Sequence, residues 1–110
     1  MSLIADERGC AEQLAKFFPG LPATRFMVRV QSVRPGREKL QESTVVEYGA
    51  GQFAIFMTTL PLEFDERVQL ARNGKGQPVE AAVIALQYHE GTKAVAVRFV
   101  EGTWDWMMQP

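Results

Sequence analysis

Two arginines four residues apart, Arg25 and Arg29, are the side chains in this sequence best suited to gripping an anion. A guanidinium is always charged, and its planar fork of donors can meet a small anion such as a phosphate through two parallel bonds. Further along, Glu47 is followed by a corner of small residues, Gly49-Ala50-Gly51. Glycines in such a corner let backbone approach a ligand with no side chain in the way. The same residues have plainer uses. Two arginines at even spacing on a strand line its solvent face, a strand-end glutamate is ordinarily a surface group, and glycines serve turn geometry in any protein. Arg34, Arg37 and Lys39 fall in a loop, partly offset by Glu38.

Other reactive residue types do not assemble into a recognisable centre. His89 is the only histidine, with no cysteine or second histidine at metal-ligand spacing. Cys10 is the only cysteine and has no histidine near it in sequence, so a structural role is expected. Gly49-Ala50-Gly51 and Gly74-Lys75-Gly76 do not open helices, as nucleotide-binding glycine loops do. Asp105 between Trp104 and Trp106 is one carboxylate, not the pair a glycosidase needs. Nothing combines nucleophile, base and oxyanion donors. The sequence reads as a binding module, not an enzyme, with no cofactor.

Composition sets the frame for those residues. The 110-residue chain fits one domain, and 46% hydrophobic with 23% charged residues is ordinary for a globular protein. Twelve Lys+Arg against thirteen Asp+Glu give a net charge of −1, which supplies no drive toward DNA, RNA or an anionic membrane. No apolar run approaches the roughly 20 residues of a spanning helix, and the N-terminus lacks a basic start followed by an apolar stretch. With a lone cysteine, these features lead to an expectation of a cytoplasmic protein.

The elements that must position the arginines follow from periodicity. Residues 5–18 form the one good helix candidate: Cys10, Leu14 and Phe17 or Phe18 recur at three- and four-residue spacing until Pro19-Gly20 and Pro22 end it. Whether its apolar stripe docks on this domain or on a partner is open. From Arg25 the period becomes two, with turn signals every eight to twelve residues. Phe26, Val28 and Val30 alternate in a first strand, and a second covers 42–48. The third, Phe53–Thr59, is apolar on both faces and therefore central. Val68 and Leu70 mark a fourth strand, residues 79–88 a fifth, and Val95, Val97 and Phe99 a sixth. Asn73-Gly74 suits a tight hairpin and Glu90-Gly91 makes the next turn.

Six short antiparallel strands need closure to remove unpaired edges, so a barrel is expected. Its predicted core is Val28, Val30, Val45, Phe53, Ile55, Val68, Leu70, Val83, Val95, Val97 and Phe99. The division is a helical segment over 1–20 and a barrel over 21–110, whose apolar tail carries Trp104, Trp106, Met107 and Met108. That tail is expected to pack on the barrel or on a partner.

The run Thr44-Val45-Val46-Glu47-Tyr48-Gly49-Ala50-Gly51-Gln52-Phe53-Ala54-Ile55, then Leu60-Pro61-Leu62, then Glu66-Arg67-Val68-Gln69-Leu70, resembles the middle of a PilZ domain. Val95-Ala96-Val97-Arg98-Phe99-Val100-Glu101 resembles that family's closing strand, so the likeness covers about residues 25–101. It implies a six-stranded antiparallel β-barrel that binds the bacterial second messenger cyclic di-GMP. The family's arginines would correspond to Arg25 and Arg29, and its Asp/Asn-x-Ser-x-x-Gly turn to Glu47, Gly49 and Gln52. This chain departs from the turn at all three positions: a longer acid, no hydroxyl, and a bulky final residue. The resemblance therefore implies either a cyclic di-GMP-binding signalling module with a degenerate motif or an adaptor that has lost the ligand and binds a protein partner or itself.

Overall fold

A computed structural model describes residues 7–33, 36, 39–72 and 75–100. The helix α1 spans Glu7–Ala15 and is followed by six strands: β1 Ala23–Ser32, β2 Gln41–Ala50, β3 Phe53–Thr58, β4 Arg67–Arg72, β5 Lys75–His89 and β6 Thr92–Phe99. All pairings are antiparallel, and the order β1-β2-β3-β6-β5-β4 closes on itself through β1 and β4. The mainly β, closed six-stranded barrel expected from the alternating pattern is what the chain forms, with one short helix at the N-terminal side.

The alternation decides what fills the barrel. Val28 and Val30 of β1, Ala54 and Phe56 of β3, and Val95 and Val97 of β6 point inward, joined by Val68, Leu70, Val83 and Phe99. Leu60 and Leu62, from the segment after β3, fold into the same cluster. A second cluster lies outside the barrel wall. There Cys10, Ala11 and Leu14 of α1 press on Ile55 and Met57 of β3 and on Ala94 and Ala96 of β6. Both faces of β3 are thus buried, one by the barrel and one by the helix, which answers the question the sequence left open about where α1 docks.

Two predicted core positions, Val45 and Phe53, need correction, and a third, Ile55, is buried on the other face of the wall. Val45 is only half-buried: it pairs with Met27 on the outer face, and Val46, opposite Phe26 and Phe56, enters the core instead. A register shift between Val46 and Tyr48 inserts Glu47 as an extra residue, so Val46 points inward and Tyr48 outward to the helix side. Ile55 is buried, but beneath α1 and not inside the barrel. Phe53 is half-buried on the outside, its ring 5.7 Å from that of Phe18.

Connections follow local chemistry. The helix ends earlier than its periodicity suggests, and Lys16, Phe17 and Phe18 donate their N–H groups to carbonyls three residues back, tightening the chain before Pro19. Phe17 then points to solvent, 75% exposed, while Phe18 packs inward. Glu90 and Gly91 both have positive φ, 39° and 84°, as the two-residue turn between His89 and Thr92 requires. Asn73 and Gly74 lie outside the described residues; the flanking pair Arg72 and Lys75 leaves a two-residue connection there. Trp104 and Trp106 also lie outside them. Pro78 sits where β5 slips against β4, between the pairs Leu70–Val79 and Arg72–Lys75, so its missing N–H costs no ladder bond.

Cys10, 2% exposed, donates its thiol hydrogen to the Gln87 carbonyl at 3.0 Å, so thiol labelling reports on helix docking. Leu14→Ala removes a buried anchor, and a loss of about 2–4 kcal/mol is expected on chemical denaturation. In native buffer that variant should label at Cys10 faster than the wild type; equal rates would mean α1 is not held by this contact.

Candidate functional site

The corner predicted to carry function is built at the end of the barrel where β2 turns into β3. Along β1, Ala23 pairs with Tyr48 and Phe26 with Val46, which leaves Thr24 and Arg25 opposite the bulged Glu47. Arg25 is exposed and Glu47 half-buried. Two residues on, Gly49 is buried, pairs with Ala54, and donates its N–H to the Pro22 carbonyl at 3.1 Å. Gly51 opens the two-residue hairpin with φ of 59°, a conformation glycine adopts without steric cost. No atom lies within 4 Å of the Cβ it lacks, so the backbone angle and not crowding calls for glycine. Gln52 completes the turn with its side chain in solvent and its carbonyl accepting the Phe99 N–H at 2.7 Å.

Four of the five sequence-derived site residues lie at this end: Arg25 opposite Glu47 across the β1–β2 pair, and Gly49 and Gln52 further along the β2–β3 hairpin. Arg29 is not among them. It pairs with Ser43 and Ala71, faces solvent, and stands four strand residues from Arg25, about 13 Å away. Ser43 in turn lies six residues from Gly49 along β2, about 20 Å. Even spacing does put both arginines on the outer face, but on a straight strand it also keeps them apart.

A different arginine approaches this end. Arg72, at the end of β4, pairs with Val28 and holds its guanidinium 5.5 Å from the centre of the Phe26 ring. It is 47 residues from Arg25 in sequence, and only the β1–β4 closure brings it near. On the helix side of the same corner, Phe17, Phe18, Pro19, Gly20 and Leu21 face Ala50, Gly51, Gln52 and Phe53 across an open groove of about 620 Å³. No motif announces this groove; its two walls come from the helix end and the β2–β3 turn.

The opposite mouth of the barrel is polar. Glu42 pairs with Val30 and so inherits an inward direction at the start of β2. Its carboxylate accepts hydrogen bonds from the Thr58 hydroxyl and from the Thr59 N–H and hydroxyl, the last two at 3.0 and 2.6 Å. Lys93, 6% exposed and opposite Thr58, lies beneath Tyr88 with its ammonium 5.7 Å from the ring centre. Partial burial pushes the Glu42 pKa up, but the bonds from Thr58 and Thr59 and the charge of Lys93 outweigh it, and the net shift is downward. Among the described residues every buried side-chain nitrogen and oxygen has a hydrogen-bond partner, so this mouth is a polar plug, with a small open pocket of about 140 Å³ beside Glu42, Thr58, Thr59 and Thr92.

Among the described residues no three His, Cys, Asp or Glu side chains group as metal ligands, and no helix is long and apolar enough to cross a membrane. His89 stands 3.9 Å from Glu90 at a hairpin tip. No family profile matches the chain, and no curated protein or solved structure matches it either.

Because the Glu42 pKa is lowered in the folded state, its contribution is present above the ordinary value near 4.5 and is lost as pH falls through the lowered one. Denaturation midpoints taken from neutral pH downward should fall in that acidic window. Glu42→Gln should flatten that part of the curve; a variant with an unchanged acid limb would show that the plug contributes nothing.

Proposed function

We propose that this chain is a non-catalytic, PilZ-like binding module whose β2–β3 corner takes cyclic di-GMP in a bacterial signalling pathway. What supports the reading is that β1–β2 pairing sets Arg25 opposite Glu47, with Gly49 and Gln52 following on the same β2–β3 hairpin, residues that the PilZ likeness names. The ligand offers two phosphates and two guanines. Arg25 is the exposed cation at the corner, and Arg72 is a second guanidinium at the same barrel end. Arg29 has no part in this grip.

A corner with a glycine where a hydroxyl would donate, and a glutamine where bare backbone would suffice, binds weakly. Each lost charge-assisted contact costs about 1.5–3 kcal/mol, and 1.4 kcal/mol is tenfold in affinity.

A second reading, an adaptor that binds protein, is favoured by one observation. Met27 is 50% exposed on the outer face of β1, beside Val45 and between Arg25 and Arg29, where α1 does not reach. An apolar spot rimmed by arginines is a common composition for a contact surface.

Calorimetric titration tests the first reading. Arg25→Ala is expected to weaken cyclic di-GMP binding roughly ten- to a hundredfold, and Arg29→Ala to change it by no more than about twofold. No heat from the wild type at about 100 µM ligand, enough to fill a micromolar site, would remove the ligand. Sedimentation over a range of concentrations tests self-association under the second reading: Met27→Glu should abolish any dimer, and a wild type that stays monomeric throughout removes that form.

A further inference from the structure

The connection between β3 and β4 carries a phenylalanine that neither apolar cluster uses. Phe64 is 70% exposed, with Glu63 on one side and Asp65 on the other, both exposed as well. Its position is held. Glu66 donates its N–H to the Glu63 carbonyl at 3.1 Å, and its carboxylate accepts the Glu63 N–H at 3.0 Å, which closes a tight turn. Asp65, third in that turn, has a φ of 68°, the region a type II turn needs and glycine or asparagine usually fills. Its N–H bonds to the Val83 carbonyl at 2.8 Å and ties the turn to β5. A backbone in an uncommon conformation, fastened on both sides, thus presents an aromatic ring between two carboxylates to solvent. A ring held in this way loses little freedom on contact, which suits it as an interface anchor.

We propose that this tip docks on a second copy of the chain, Phe64 against Met27 and the two carboxylates against Arg25 and Arg29. The inference rests on the second reading above and names both surfaces of its self-association. Charged and apolar groups stand in complementary order. Met27 is 50% exposed, and the two exposed arginines lie on the same face of β1, each about 6.6 Å from it along the strand. Among the described residues the ion pairs are Arg67–Glu80 and His89–Glu90, and neither the two arginines nor Glu63 and Asp65 take part. A ring laid on a thioether between guanidiniums also gains sulfur–aromatic and cation–π attraction. Within one chain the two surfaces do not meet. The turn leads into β4, whose Val68 pairs with Ser32, and about 16 Å of β1 separates Ser32 from Met27. Each copy therefore offers one tip and one arginine strip, and the contact joins copies head to tail. A net charge of −1 sets no long-range repulsion against such growth.

Sedimentation at protein concentrations up to about 1 mM, a range set by the modest worth of exposed ion pairs, should show the wild type growing past a dimer. Raising salt from about 0.1 M to about 1 M shortens the screening length from about 10 Å to about 3 Å and should reduce that growth. Arg25 is shared with the ligand corner, so the variants leave it in place. Phe64→Ala and Met27→Glu change exposed side chains, and each alone should be monomeric with Cys10 still protected from labelling. Mixed together they should form a one-to-one pair and nothing larger, because the first keeps its strip and the second its tip. A wild type that is monomeric at every concentration overturns the inference together with self-association. Association that Met27→Glu stops and Phe64→Ala does not overturns the inference alone, and leaves self-association through β1. A mixture of the two variants that stays monomeric also overturns it.

Discussion

The pair β3–β6 is apolar on both faces, and the rest of the architecture answers to that. Its inner face, Ala54 and Phe56 with Val95 and Val97, is satisfied by closing the barrel. Its outer face, Ile55 and Met57 with Ala94 and Ala96, is not, and burying it is favourable by about 25 cal/mol per Å². The helix supplies the cover. Alanines at 94 and 96 keep that part of the wall low, so Ala11, itself fully buried, can approach the sheet closely, while Leu14 and Cys10 fill the sides. Where the helix stops is set by Pro19, and that stop hangs Phe17 and Phe18 over the β2–β3 turn. The groove is a by-product of covering β3.

Two register irregularities make the double-sided packing possible. One places Glu47 as an extra residue in β2; the other, between Val83 and Ala85, places Ile84 as an extra residue in β5. In each case the bulge shifts the phase of the alternation, so that Val46 feeds the barrel interior and Tyr48 the helix side, and Val83 the interior, Ile84 and Ala85 the helix side and Leu86 the interior again. A bulge bends its strand and re-aims the neighbouring side chains. The one in β2 also leaves Glu47 facing the arginine end of β1. A structural device of the fold and the candidate ligand corner are thus the same residue.

The two barrel ends divide their duties. At one, Glu42 is held by Thr58, Thr59 and Lys93, every buried polar side-chain atom among the described residues is answered, and the carboxylate is a stabilising plug. At the other, Arg25 is exposed, Arg72 rests on Phe26, and a groove stands open beside Gly51. Polar satisfaction at the first end and open guanidinium and apolar surface at the second are what make the second the place to look for a partner.

Periodicity alone determined the class of fold, the number of strands, most of the barrel interior and the two-faced character of β3, because a period of two with one buried face leaves no other arrangement for Val28, Val30, Val95 and Val97. The glycines at 49 and 51 also marked the break between β2 and β3, where Gly51 takes its positive φ. Tertiary structure decided the rest. Val46 replaces Val45 because a bulge shifts the phase of β2, and a bulge has no sequence signature that alternation can reveal. Arg72 reaches the same barrel end as Arg25 while Arg29 stands away from it, because distance across a barrel is set by strand pairing, whereas spacing along a strand only fixes the face. The groove belongs wholly to the fold: its walls are about thirty residues apart in sequence, and no local pattern encodes their meeting.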